Sequence, residues 1–191
     1  MGTDVHGVFQ AKRGDKWEDV ESIWEQDRHY ALFAWLAGVR NGYGFAGIPT
    51  HAPLIPLAEG RGLPVDFKTN AYGDQHPSPL DAEGIWMGDH SHTWLTADEI
   101  LSATPPTFWR TGVVTKEWFL LWDGTSAPEG WSGSVSGGGV RTDDPVHVTA
   151  ETTHVRIYWK ERGNGFDYFL NEVRRLKDLH GEVRLVVGFD S

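Results

Sequence analysis

Two tight groups in this chain gather side chains that handle protons or bind metals: Asp4-Val5-His6 near its start and Asp89-His90-Ser91-His92 at its middle. Cleaving a phosphodiester takes a base to activate the attacking oxygen, an acid to protonate the leaving oxygen, and a cation or donors to hold charge on the phosphoryl oxygens. Histidine suits both proton roles because its ordinary pKa lies near neutrality, and a carboxylate on one ring nitrogen decides which nitrogen faces the substrate. His6, His90 and His92 are therefore candidate acid–base residues, with Asp4 or Asp89 as orienting carboxylates. A second chemistry stays open, because Asp-x-His and His-x-His also resemble ligand pairs: Asp4, His6, His90 and His92 would then hold a divalent metal and activate water. The plain alternative is structural, with a hydrogen-bonded pair near the terminus and two polar loop histidines. Everything turns on whether the two groups meet.

Two arginines fit a phosphate-holding role. Arg40 follows the end of an expected helix and Arg61 lies between Gly60 and Gly62, so each can present its planar fork to phosphate oxygens; a surface salt bridge is the competing role for both. Ser91, Asp89 and Trp94, in or beside the second group, complete the candidate substrate-binding set. Trp86, Trp94 and Trp109 offer faces on which a base could stack, although most tryptophans in a Trp-rich chain belong to the core. His29, His51, His76, His147, His154 and His180 lack comparable neighbours and read as surface or structural. Gly137-Gly138-Gly139 has none of the sequence context of a phosphate-binding loop.

Several elements must position these residues. On a strand, Asp4 and His6 project to one face. Residues 3–13 read as a strand, Gly14-Asp15-Lys16 as a turn, and 17–23 as the returning strand. Tyr30, Phe33, Ala34 and Ala37 share one helical face, giving a helix from Asp27 to Arg40 with Asp27 as its cap. Thr96-Ala97-Asp98-Glu99 reads as a capped helix start, which puts the histidine pair in the loop before it. The run 113–122 fits a buried strand or a helix. Phe166, Phe169, Leu170, Val173 and Leu176 predict an amphipathic helix that Gly181 ends, and the nearly all-apolar stretch 183–189 predicts a central closing strand. Six of the ten prolines fall in 44–79, an irregular excursion, and 123–145 is a Gly/Ser-rich segment expected to be a mobile loop.

The 191 residues, 39% apolar with ten tryptophans and nine phenylalanines, predict one globular domain over 1–191. A net charge of −10 argues against gripping long nucleic acid, whose binding rests on clustered Lys and Arg, yet leaves room for a small anionic nucleotide held by a few arginines. With no cysteine, disulfides, thiolate metal sites and cysteine nucleophiles are all ruled out. No signal peptide or membrane helix is evident, so the expected location is the cytoplasm and no membrane partner is expected.

Met1-Gly2-Thr3-Asp4-Val5-His6, Tyr30-Ala31-Leu32-Phe33, Val39-Arg40-Asn41, Arg61-Gly62-Leu63-Pro64, His90-Ser91-His92-Thr93-Trp94-Leu95-Thr96 and Val183 to Asp190 resemble, in that order, a family of small and largely uncharacterised bacteriophage proteins. The likeness runs along the whole chain. Thr3 stands where that family often has cysteine and Ser191 where it often ends in asparagine. The family is similar in turn to phage anti-CBASS enzymes, which cleave cyclic dinucleotide immune signals such as cyclic GMP-AMP. That resemblance implies a phosphodiesterase acting in the infected host's cytoplasm, with Asp4, His6, His90 and His92 near the scissile phosphate and Arg40 or Arg61 holding it. It implies no required cofactor. The rival readings are a sponge that sequesters the signal uncut, a metal-dependent hydrolase of another phosphate substrate, and a structural or interaction module; a homo-oligomer is compatible with all of them. The expected fold is α+β: a mostly antiparallel sheet containing the first hairpin and the closing strand, packed by the helices at 27–40 and 166–179.

Overall fold

The last strand organises the fold. In the computed structural model, which describes residues 2–43, 47, 51–67, 86–135, 138–162 and 165–191, strand β7 (Val183–Asp190) is buried along its length up to Asp190. It lies between β1 (Asp4–Arg13) and β3 (His90–Thr96), antiparallel to both, and β2 (Lys16–Val20) completes a four-stranded sheet in the order β2-β1-β7-β3. Only an apolar strand such as Val183-Arg184-Leu185-Val186-Val187 can be covered on both faces. Leu185, Val186 and Val187 have no exposure at all, and each such side chain contributes roughly 1.5–3 kcal/mol on burial.

Alternation along the strands divides the sheet into two faces. One carries Val5, Phe9, Leu185 and Phe189, and meets α1 (Tyr30–Ala37) through Phe33 against Phe189, 5.2 Å between ring centroids, and α4 (Phe166–His180) through Phe169 against Phe9, 6.4 Å. The other carries His6, Val8, Val186 and Gly188. Val186 there clusters with Phe67 and Met87, with Val8, Leu63 and Trp94 packed around them. The buried Arg184 on this face bonds Gln10 at 2.9 Å and Asp66 at 3.0 Å and lies over the Trp17 ring. A short helix, α2 (Ala97–Ser102), packs with α4, to which Asp98 is joined by Lys177.

The chain forms two compact units, residues 1–106 with 164–191, and residues 107–163. The second holds β4 (Thr107–Thr115), α3 (Lys116–Leu121), β5 (Arg141–Thr142) and β6 (His154–Arg162), in a three-stranded sheet of order β4-β6-β5. Its core is Val114, Val155, Ile157 and Trp159. The β4–β6 pair is antiparallel and β5–β6 parallel. Together the elements make an α+β protein with mostly antiparallel sheets.

Local signals account for most boundaries. Thr96 and Glu99 form the reciprocal capping box that starts α2, and Thr115 caps α3. The ambiguous run 113–122 is both things in turn, the end of β4 and then α3. Helix α1 begins later than expected: its cap is His29, whose Nδ1 accepts the Leu32 N–H at 3.1 Å, in place of Asp27. The described part of the proline-rich stretch is irregular but anchored. Leu57 and Ala58 donate to the Trp35 and Leu36 carbonyls, and the Asn41 amide bonds both backbone groups of Leu54. The rest of that stretch, and residues 136–137 of the Gly/Ser-rich segment, lie outside the described residues, as does His76. No helix among the described residues is long and apolar enough to cross a membrane.

Gly188 is the tightest point of the sheet. A Cβ there would lie 1.8 Å from the Met87 carbonyl oxygen and 2.5 Å from His92 Cδ2. Gly188→Ala must push both away and is expected to cost at least about 1–3 kcal/mol, read as a lower denaturant midpoint at unchanged m-value; an unchanged midpoint would show that the segment at Met87 yields freely.

Candidate active site

Because β7 pairs with β1 on one side and β3 on the other, it draws both sequence clusters to one end of one sheet. His6 stands opposite Gly188, and His90 opposite Phe189. Adjacent β7 residues face opposite ways, so the two imidazoles are neighbours in the sheet but lie on different faces.

His90 and His92 belong to a strand, where the capped helix start had suggested a loop. A β-bulge separates them: from His90 to Thr93 strand β3 advances three residues while β7 advances two, from Phe189 to Val187. Ser91, with a left-handed φ of 53°, takes up the extra residue. The bulge breaks simple alternation, as bulges do. His90 therefore joins the helix-bearing face, where its ring stacks on Phe189, and His92 lies against Gly188 on the other.

On the helix-bearing side a cleft of about 410 Å³ opens between the end of α1 and the ends of β3 and β7, lined by Thr3, Arg40, Glu59, His90, Ser91 and Ser191 among others. Gly38, at φ 74°, closes α1 with its N–H on the Ala34 carbonyl. That turn brings Arg40 back over the sheet end, also in a left-handed conformation at φ 54°. Arg40 Nε donates to Thr3 Oγ at 2.7 Å, and its guanidinium lies 5.6 Å from the Tyr30 ring. His90 Nδ1 is 2.9 Å from Ser91 Oγ and Nε2 is 3.0 Å from Ser191 Oγ. The Glu59 carboxylate packs against Gly38, where an added Cβ would come within 3.1 Å of it. A cation, an imidazole, a carboxylate and three hydroxyls thus share one concave space of the size that small ligands occupy.

The opposite face holds the rest. His6 Nε2 is 3.4 Å from Asp190 Oδ1, and these two solvent-shielded atoms have no hydrogen-bond partner among the described residues. Trp86 leans on His6 with ring centroids 4.4 Å apart. His92 Nε2 is 3.1 Å from the Gly88 carbonyl. Asp4, the expected partner of His6, is instead gripped by both nitrogens of the Arg28 fork, at 2.5 and 2.9 Å, and this holds its carboxyl below the usual range. The carboxylate beside His6 is Asp190, from the strand next door.

The remaining candidates divide in the same way. Ser91 lines the cleft. Asp89 Oδ1 is 3.9 Å from His90 Nε2, and its backbone N–H donates to the Phe189 carbonyl. Trp94 packs into the Met87–Val186 cluster with the Arg61 guanidinium 5.4 Å from its ring. Arg61 forms a two-point ion pair with Glu99, at 2.8 and 3.1 Å, and donates to the Trp94 carbonyl. Glu59 carried no signal in the sequence, and Thr3, Asp190 and Ser191, which fall in or beside the resembling stretches, were not among the candidate site residues; strand register and chain reversal bring all four here. Among the described residues no group of three or more His, Asp or Glu side chains is placed to hold a metal ion.

Fold and cleft together define an α+β protein with an imidazole–guanidinium cleft at the end of an antiparallel sheet. Compared with protein-family models, curated proteins and solved structures, the chain has no match.

The Arg61–Glu99 pair predicts an acid limb of stability. The Arg61 fork, with help from the Thr96 N–H and hydroxyl, lowers the Glu99 carboxyl from 4.5 to about 2. Its folded value is depressed, so the unfolded chain binds the extra proton: the contribution is complete above about pH 4.5 and is lost as pH falls towards 2. Arg61→Gln should lower the melting temperature at pH 6 and shrink the difference between pH 6 and pH 3; equal acid sensitivity in the two proteins would sink that assignment.

Proposed function

We propose that the protein binds a small phosphodiester in this cleft and hydrolyses it, and that the substrate is a cyclic dinucleotide signal such as cyclic GMP-AMP. The observation that carries the reading is the meeting of Arg40 and His90 in one cleft of about 410 Å³. Arg40 holds the phosphoryl oxygens, where its fork is worth most as negative charge builds. Water attacks phosphorus and gives its proton to the Glu59 carboxylate; the phosphorus–oxygen ester bond breaks, and the departing ribose oxygen takes a proton from His90. The product is linear. Ser91 and Ser191 hold the His90 ring in place at both nitrogens. Arg40 and Ser91, the non-glycine residues with positive φ among the described residues, both line the cleft, and such backbone strain tends to gather at functional sites. The phage resemblance supports the same reading, with the reaction removing an immune signal in the infected cell's cytoplasm.

A second reading is favoured by one observation: both His90 nitrogens already have hydroxyl partners, and His6 and His92 lie on the opposite face of the sheet. With its one imidazole engaged at both nitrogens, the cleft would sequester the signal without cutting it.

Purified protein incubated with cyclic mono- and dinucleotides, with and without chelator, and followed by chromatography, separates these readings. Linear product formed equally with chelator is the expected result. His90→Ala should then lower kcat by at least roughly a hundred-fold without changing the melting temperature, Arg40→Ala should raise KM, and His6→Ala should leave turnover largely intact. Nucleotide recovered whole from denatured protein establishes sequestration, product lost with chelator establishes a metal, and neither product nor retained nucleotide rejects the proposal.

A further inference from the structure

We propose that the outer face of the β4/β6 ribbon is a stacking platform for a short single strand of nucleic acid, a role separate from the cleft and independent of its reading. The ribbon register pairs Thr107 with Arg162, Trp109 with Lys160 and Thr111 with Tyr158. Alternation puts Phe108, Gly112, Val114, Val155, Ile157 and Trp159 on the inner face, where Trp131 packs against Trp159 and closes over Gly112. The outer face is thereby left with two large aromatic side chains in solvent, Trp109 at 66% exposure and Tyr158 at 51%. They occupy diagonal positions on neighbouring strands, about 7–8 Å apart by strand geometry, so one strand can rest successive bases on both.

The charge on this face suits that occupant. The chain as a whole has 17 Lys and Arg against 27 Asp and Glu, but residues 107–163 carry six against seven. Within the ribbon the acidic residue, Glu161, lies on the inner face, bonded to Arg110 at 3.1 Å and to the Trp159 indole N–H at 2.9 Å. The outer face carries Arg156, Lys160 and Arg162. Lys160 lies 5.0 Å over the Trp109 ring, next to where the phosphate of a stacked nucleotide would fall. Asp143 is bonded to this face, shared by Arg141 at 2.8 Å and Arg156 at 3.0 Å. Exposed aromatic faces interleaved with cations bind unpaired bases and their phosphates, with base stacking tolerant of sequence. A duplex hides its base faces and gains nothing from the rings.

Fluorescence anisotropy of a short labelled oligothymidylate, against a labelled duplex of the same length, tests this. The single strand should bind more tightly than the duplex and weaken as salt is raised. Trp109→Ala and Tyr158→Ala should each weaken it by about ten-fold, Lys160→Glu should weaken it and flatten the salt dependence, and Trp109→Phe should retain most of it, all with unchanged melting temperatures. His90→Ala should bind the oligonucleotide as the wild type does, so failure of the cleft reading leaves this result standing. No binding at low salt, equal binding of the duplex, or binding indifferent to both alanine substitutions would overturn the proposal.

Discussion

One strand, β7, carries the architecture of the larger unit. Its backbone satisfies β1 on one edge and β3 on the other, and its side chains fill the contacts on both faces, against Phe33 and Phe9 on one side and Met87 and Phe67 on the other. A strand buried on both sides leaves little choice of register, because a one-residue slip would drive Arg184 and Asp190 into the buried positions of Val183 and Phe189. That register fixes the address of every candidate residue: Asp4 and His6 meet Asp190 and Gly188, and His90 meets Phe189.

A single extra residue then decides how the imidazoles are shared out. Without the bulge at Ser91, His90 and His92 would project together; with it, one enters the cleft beside Arg40 and the other packs against Gly188 towards the face of His6. The closeness of the backbones there, with Met87 and His92 pressed onto Gly188 and Gly88 onto Phe189, is the physical cost of this arrangement. Glycine at 88 and 188 is what makes it feasible.

The arginines show how weak a guide residue type is by itself. Arg28, Arg61 and Arg175 lie in two-point ion pairs with Asp4, Glu99 and Glu172, and Arg184 is buried against Gln10, Asp66 and Trp17. Arg40 differs in its surroundings: it opens onto a cleft with an imidazole and three hydroxyls. Arg40, after a helix end, and Arg61, between two glycines, were equal candidates for holding phosphate in the sequence, and only their neighbours in space tell them apart.

The chain's own pattern determined the elements: the apolar run that makes β7 central, the 3.6-residue periodicity of α4, the capping box of Thr96 and Glu99, and the α+β class that these imply. Such features depend on neighbours within a few positions and are written locally. The cap of α1, the β3 bulge, the pairing of His6 with Asp190 and of Asp4 with Arg28, and the meeting of Arg40 with His90 across some fifty residues of chain were decided by tertiary structure alone. Each depends on register between distant strands or on the path of an irregular segment, where competing long-range contacts, and not local preference, set the geometry.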